Sequence, residues 1–269
     1  MQAGSARSMA AVLEKANAVL EAGADADRLG DELFSLTLTL DAEHALRRAL
    51  TEPAVPPEAK SRLLASIATG KLSPEAVEVA DVAVRNRWSQ GRDLGDALER
   101  ASVTAHVAGA DAAGRLDAVE DNLFRFGRIV EGDAALREVL SDPGTPFEGK
   151  RRLVARLVED KVDDSTLRLL EQAVAGRHRS LPAVLAVYEE VAAERRDSLV
   201  ATVWVASQLS RDHRDRLAQA LTRQYSREVH LNVIVEPSLL GGVRVAVGDE
   251  IIDSTIESRI RQAHRRLDH

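Results

Sequence analysis

Leu46–Ala65 reads LRRALTEPAVPPEAKSRLLA, and 90 residues further along the chain Leu136–Ala155 reads LREVLSDPGTPFEGKRRLVA. Aligned without a gap, the two stretches are identical at 10 of 20 positions. Self-similarity at a fixed offset indicates a duplicated domain, and two units of about 90 residues do not fit a solenoid. The same offset holds outside the block, where it pairs Asp31 with Asp121, Leu33 with Leu123 and Phe34 with Phe124.

Both copies have the hydrophobic periodicity of amphipathic helices. In the first copy, apolar residues recur at three- and four-residue steps over Met9–Leu20 and form one stripe. A second helix is predicted to start near Leu29 and to run until the shared motif Pro53-x-x-Pro56. Proline breaks a helix there because it has no N–H to donate and it restricts the residue before it.

Further helix starts follow in each copy. Ser73-Pro74 has the pattern of an N-cap followed by proline at the first helical position, which predicts a helix through Trp88. Gly91 interrupts this helix, and an apolar stripe resumes at Leu94. We expect five or six helices per copy, packed as a compact bundle. The second copy repeats these signals at Pro143, Pro146, Asp164 and Gly176, followed by Val184, Leu185, Tyr188 and Val191.

The period changes near residue 199. Leu199–Ala206 is rich in β-branched residues and predicts a strand, as do the alternating segments His230–Glu236 and Val243–Val247. Between the first two strands, Ser210–Ser226 has the pattern of a helix. The sequence therefore predicts a small α/β module after the helical body.

The end of the chain completes this module. Gly248-Asp249 predicts a tight hairpin turn into Ile251-Ile252, because glycine tolerates positive φ, and an amphipathic helix is predicted over residues 254–267. The expected fold is mainly α with a small α+β tail. Its three expected domains are residues 1–95 (first bundle), 96–197 (second bundle) and 198–269 (tail).

The composition excludes several classes of protein. A net charge of −7 argues against nucleic-acid binding, which requires a basic face toward the phosphates. The absence of cysteine excludes disulfides and thiolate chemistry. The sequence has no apolar run near the roughly 20 residues that cross a bilayer, and no apparent secretion signal at its start. Any membrane association is therefore expected to come through a partner.

Motifs of catalysis or cofactor binding are missing from the sequence. Gly241-Gly242 lies in neither a Gly-x-Gly-x-x-Gly nor a Gly-Lys-Ser/Thr pattern, and there is no Gly-x-Ser-x-Gly elbow. The seven histidines lack metal-ligand spacing and are expected at the surface or at boundaries. We therefore predict no catalytic residue, no cofactor and no metal.

The tail carries a resemblance to a known family. His230–Val233 (HLNV) leads to Glu236–Gly242 (EPSLLGG), then to Val247–Asp249 (VGD) and Ile252–Thr255 (IDST). This series resembles the carboxyl-terminal signature of F-type ATP synthase delta subunits, the oligomycin-sensitivity-conferring protein family. Glu236 replaces the usual aspartate, and a serine replaces the usual glycine after Asp253. We assign structural roles to the signature residues: Gly241 and Gly242 allow a turn or bulge, Pro237 ends a strand, and Asp253 caps the last helix. The full set is Pro237, Leu239, Gly241, Gly242, Gly248, Asp249 and Asp253.

The resemblance extends over about residues 98–267, so the first copy is an addition to the usual single amino-terminal domain, as in the actinobacterial form. It implies a non-catalytic stator subunit of the proton-translocating ATP synthase, peripheral to the cell membrane on the cytoplasmic side. The implied partners are the alpha-subunit N-terminal helices and the carboxyl-terminal end of the b subunit, within the alpha/beta/gamma/epsilon head. Such a link stops the head from turning with the rotor.

The resemblance also implies where a partner helix docks. In the family, the alpha helix lies between the first and fifth helices of the amino-terminal domain, which correspond here to about Leu98–Ala110 and Leu167–His178. The first copy offers an equivalent groove between Met9–Leu20 and Val77–Trp88. The candidate interface residues are Val103, Val107, Leu167, Leu170, Val174 and His178.

Two rival functions remain open at this level. One is a helical adaptor unrelated to ATP synthase, and the other is an enzyme that uses the tail as a small-molecule site. The basic carboxyl end is equally ambiguous, because its arginines fit either an acidic or membrane partner or the dipole of a last helix. These arginines are Arg259, Arg261, Arg265 and Arg266.

Overall fold

The computed structural model describes residues 3–142, 144–177, 180–197, 199–225, 229–237, 239, 241–247 and 250–253. The chain divides into two compact units, Met1–Ala193 and Glu194–His269. The first unit is helical and the second contains a sheet, which confirms the predicted fold class of a mainly α protein with a small α+β tail.

The first unit is built from consecutive helices joined by short turns. Its helices are α1 (Ala3–Glu21), α2 (Ala26–Ala42), α3 (His44–Thr51), α4 (Pro57–Ala68), α5 (Pro74–Arg85), α6 (Gly91–Ala112), α7 (Leu116–Gly132), α8 (Ala134–Ser141), α9 (Phe147–Val158), α10 (Asp164–Ala173) and α11 (Leu181–Asp197), the last of which ends beyond the unit.

The start of α5 falls where the sequence predicts it, whereas α6 begins at Gly91 itself rather than near Leu94. The Ser73 side chain accepts a hydrogen bond from the Ala76 N–H at the start of α5, and Pro57 opens α4. In the second copy the N-cap is Asp163 rather than Asp164, and its side chain accepts from the Thr166 N–H. These caps satisfy N–H groups that have no partner inside the helix.

Two helix ends differ from the prediction. The helix expected from Leu29 to Pro53 is split into α2 and α3, because Glu43 leaves the helical conformation with φ −102° and ψ 77°. No glycine or proline marks this break. In addition, α5 ends at Arg85 instead of Trp88, whose indole N–H donates to the Ala83 carbonyl at 2.9 Å.

One helix belongs to both bundles. The side of α6 that carries Leu94, Leu98 and Ala105 packs in one hydrophobic core with α1, α2 and α5. A second face of α6, with Val103 and Val107, packs in another core with α7, α10 and α11. The last helix of the first bundle is thus also the first helix of the second, so the expected boundary between residues 95 and 96 falls inside α6.

The second unit has the predicted order of strands and helix. It consists of β1 (Leu199–Val205), α12 (Arg211–Tyr225), β2 (Val229–Val235), β3 (Val243–Val247) and β4 (Glu250–Asp253). The sheet order is β2-β1-β3-β4, with β1 parallel to β2 and β3 antiparallel to both β1 and β4. Alternate residues of β1 and β3 pack with Leu221 of α12 in one core. The predicted turn at Gly248-Asp249 and the predicted helix over residues 254–267 lie outside the described residues.

Candidate partner interface

The second bundle uses most of the predicted interface residues in its own core. Leu167 on α10 is half-buried, and His178 lies outside the described residues. The apolar stripe of an amphipathic helix normally faces the core of its own bundle. The predicted interface residues on such stripes therefore do not line an open groove. As a docking surface the six residues stay a prediction. Four of them are no more than 2% exposed: Val103, Val107, Leu170 and Val174.

Helix α2 of the first copy packs tightly on α6. The Ser102 hydroxyl lies 2.7 Å from the Gly30 carbonyl oxygen and 3.0 Å from Gln172 Oε1, and all three residues are buried. A Cβ on Gly30 would come within 2.4 Å of the His106 ring. Glycine at position 30 therefore permits an approach between α2 and α6 that a side chain would prevent.

A buried ionic cluster joins the two copies beside this contact. The Arg177 guanidinium pairs with Asp41 of α2 and with both Asp96 and Glu99 of α6. The Tyr188 hydroxyl donates to the Glu99 carboxylate at 2.8 Å. Because the Arg177 and Glu99 side chains are each only 5% exposed, removing either partner would leave a buried charge uncompensated.

A second set of contacts lies along the outer side of α2. Arg168 of α10 pairs with Asp31 and approaches Asp27 at 3.9 Å. Phe34 meets Phe147 of α9 edge to face, with ring centroids 6.3 Å apart. The first copy therefore holds the second through acidic side chains and one phenylalanine on α2.

The electrostatics of the joint follow from its burial. Burial raises the pKa of Tyr188 well above its ordinary value, and the charge of Glu99 adds to this effect. Burial acts to lower the pKa of Arg177, but the neighbouring carboxylates, Glu99 foremost, outweigh it and the pKa is raised. A hydrogen bond from His106 lowers the pKa of the Asp27 carboxyl. These shifts keep Tyr188 protonated and Arg177 charged at neutral pH.

No sequence pattern predicts this joint. His106 was expected at a surface or boundary, whereas its side chain is 1% exposed. Arg177 and Glu99 belong to no motif in the sequence. A signal was present in the repeat, because Glu99 corresponds to Met9 and Ser102 to Val12 at the 90-residue offset. A polar residue in one copy opposite an apolar residue in the other marks a position where the two copies have different neighbours.

The tail signature forms a turn after β2. Gly241 and Gly242 have φ of 98° and 87°, which fits their predicted role because residues with a Cβ rarely adopt such angles. The Glu236 N–H donates to the Val205 carbonyl at 2.8 Å, and Pro237, which has no N–H, follows it. Leu239 is buried. Gly248 and Asp249 lie outside the described residues, and Asp253 is the last residue of β4, so its predicted capping role stays a prediction.

The described residues form neither a metal-binding cluster nor a helix able to span a membrane. Among those residues, no group of three or more His, Cys, Asp or Glu side chains is arranged to hold a metal ion. None of the helices described has both the length and the apolar character that a bilayer span demands.

Two helical bundles that share one helix, with an α/β tail, define a scaffold protein whose turn glycines and buried charges serve its architecture. The family model of the ATP synthase delta (OSCP) subunit matches residues 103–267, which run from the second half of α6 into the tail. The chain belongs to the ATP synthase delta (OSCP) subunit family.

Full-length relatives agree with this assignment. Proteins named ATP synthase subunit delta are 43% identical in Thermobifida fusca and 42% identical in Streptomyces griseus, with 99% of each chain covered in both cases. The protein of that name in Kineococcus radiotolerans is 42% identical over 99% of this chain and 98% of its own. The first helical copy is therefore shared with these actinobacterial relatives.

Family membership decides between the functions left open by the sequence. The chain is a structural stator subunit of the F-type ATP synthase, a membrane-associated complex, and it is not a catalytic subunit. An adaptor unrelated to ATP synthase does not account for identity that extends over the whole chain.

Proposed function

We propose that the chain connects the N-terminal helices of the alpha subunits to the carboxyl-terminal end of the b subunit, on the cytoplasmic side of the cell membrane. Rotation of the central rotor drives ATP synthesis only when the alpha/beta head is held still. A connector of this kind performs no chemistry, and it needs interfaces that resist torque. The observation that carries the proposal is the family match over the second bundle and the tail.

The two helical bundles and the tail are proposed to divide this work. In this proposal residues 1–95 and 96–197 act toward the head, and residues 198–269 meet the b subunit. The bundles are not independent pieces, because α6 supplies side chains to both cores. Deleting residues 1–90 would uncover the apolar residues of α6 that face the first core, so the division is better tested in the intact chain.

We further propose that the alpha helix docks on the first bundle, between α1 and α5. In the second bundle the equivalent helices are α6 and α10, and α2 already packs against both. A partner helix in that second groove would have to displace the contacts of Ser102 and Arg168 with α2. Among the described helices of the second copy, none but the shared α6 packs extensively against α1 or α5. Amphipathic helices commonly bind in grooves of this kind.

The absence of cysteine makes this docking proposal easy to test. Val77 of α5 and Leu167 of α10 occupy equivalent positions of the repeat, and both are half-buried. Single Val77→Cys and Leu167→Cys variants, each carrying a short bifunctional cross-linker, form a matched pair. We expect an adduct with the alpha N-terminal helix from position 77. An adduct from position 167 alone would contradict the proposed groove.

The proposed function itself is tested by purification of the native chain through an affinity tag. We expect the alpha, beta and b subunits to co-purify in fixed ratio. Recovery of the chain without any of these subunits, from cells that assemble an active synthase, would contradict the proposal. Recovery with the head but without b would contradict only the contact assigned to the tail.

A further inference from the structure

The exposed side of α7 repeats the residues with which α2 holds the second copy. On α2 these residues are Asp27, Asp31, Phe34 and Asp41, which contact Arg168, Phe147 and Arg177. At the 90-residue offset, α7 carries three acidic residues and one phenylalanine, in the same order and at the same spacing. They are Asp117, Asp121, Phe124 and Glu131.

The four side chains of α7 are spaced to lie along one stripe of the helix. Residues 117, 121, 124 and 131 are separated by four, three and seven positions, which is close to whole helical turns. Their burial differs from that of the α2 set. Phe124 is 57% exposed, whereas its counterpart Phe34 is half-buried against Phe147. Phe124 therefore leaves in water the kind of apolar surface that Phe34 packs against Phe147.

Two of the acidic side chains of this stripe form ion pairs with arginines of α7 itself. Asp121 pairs with Arg125 at 2.8 Å, and Glu131 pairs with Arg128 at 3.3 Å. Both pairs are exposed, and such pairs contribute little to stability, so the carboxylates can exchange their arginine for one on a partner at low cost. The α7 stripe is thus an uncovered equivalent of the surface that α2 uses inside the molecule.

We propose that the α7 stripe (Asp117, Asp121, Phe124 and Glu131) is a docking surface for a basic amphipathic helix of another subunit. The occupant carries arginines or lysines that pair with the acidic residues, and an apolar side chain that packs on Phe124. This chemistry is taken from α10 and α9, which present Arg168, Arg177 and Phe147 to the matching stripe of α2. The proposal rests on the proposed function in that the partner belongs to the head or stalk of the synthase.

A second copy of this chain is a poor occupant. The surface that could receive α7 in a head-to-tail dimer is the first bundle, at the positions equivalent to Arg168 and Phe147. Those positions are Glu78 and Pro57, whereas the position equivalent to Arg177 keeps a cation as Arg87. Glu78 would face Asp121 with like charge, and it already pairs with Lys15 of α1. Head-to-tail contacts also build open filaments unless the rotation between copies closes a ring. Charge complementarity therefore favours a basic partner.

The experiment places a photo-reactive benzophenone side chain at Phe124 or at Phe34 in the full chain, expressed with the rest of the synthase. Phe34 is the matched control, because it faces Phe147 and should cross-link within the chain. From position 124 we expect an adduct with a helix of another subunit that contains several arginines or lysines. The variant Asp121→Arg should lower the yield of that adduct roughly tenfold through like-charge repulsion.

The other possible outcomes separate failure of the α7 proposal from failure of the proposed function. No adduct from position 124 in an assembled synthase, an adduct with a second copy, or an adduct with an acidic segment would overturn the α7 proposal and leave the proposed function intact. Failure of the unmodified chain to co-purify with alpha, beta and b would instead overturn the proposed function, and the α7 proposal with it.

Discussion

The two helical copies share a fold and a repeat, yet they differ in what covers equivalent faces. In the first copy, Asp31 and Phe34 of α2 are engaged by the second copy. In the second copy, Asp121 and Phe124 of α7 are exposed. The repeated surface is thus an internal joint in one copy and is exposed in the other. The comparison shows that the same residues can serve stability in one place and binding in another.

The largest expected effect is at the buried cluster. Arg177→Ala should lower the free energy of unfolding by about 3–5 kcal/mol, because it leaves Glu99 buried without its cation. The repeat supplies a control in Arg87, which is exposed. Arg87→Ala should change the free energy of unfolding by no more than about 0.5 kcal/mol. Urea unfolding followed by circular dichroism measures both. Equal effects would show that the cluster does not hold the copies together.

The paired phenylalanines give the next largest difference. Phe34→Ala should lower the free energy of unfolding by about 1–2 kcal/mol, because it removes a half-buried ring and its contact with Phe147. Phe124→Ala should cost less than about 0.5 kcal/mol, because the ring is already mostly in water. The same denaturation experiment compares them. A larger loss for Phe124→Ala would mean that α7, and not α2, is the covered helix.

The smallest expected effect concerns Tyr188, which contributes to the pH dependence of the free energy of unfolding. Its pKa is raised in the folded state, whereas an unfolded tyrosine loses its proton near the ordinary value of 10.0. The folded state thus binds more protons than the unfolded state above that pH, so stability must fall as the pH rises. Tyr188→Phe removes this contribution. We expect unfolding curves between pH 8 and pH 11 to show a shallower loss of stability for the variant, and an unchanged slope would contradict the assignment.

The sequence predicted those features that depend on nearby residues. Helices such as α1 and strands such as β3 follow from a local period of apolar residues, and the turn at Gly241-Gly242 follows from the backbone angles that glycine permits. The start of α5 at Ser73-Pro74 was equally predictable, because a cap is decided within one helical turn.

The joint between the copies could not be predicted in the same way. Arg177 meets Asp41 across 136 positions of sequence, and Ser102 meets Gly30 across 72. No local pattern records such pairs, and a buried charge looks like a surface charge until its partners are known. The burial of Val103 and Val107 was missed for a related reason, since the stripe that predicts a helix does not say whether another helix of the same chain will cover it.

Hydroxyl-radical footprinting of Phe34 and Phe124 is the most direct test of the claim that one surface is internal and its repeat is free. In the isolated chain, we predict strong labelling of Phe124 and weak labelling of Phe34. In the assembled synthase, the labelling of Phe124 should fall to the level of Phe34. Equal labelling of the two rings in the isolated chain, or an unchanged Phe124 signal after assembly, would contradict the account.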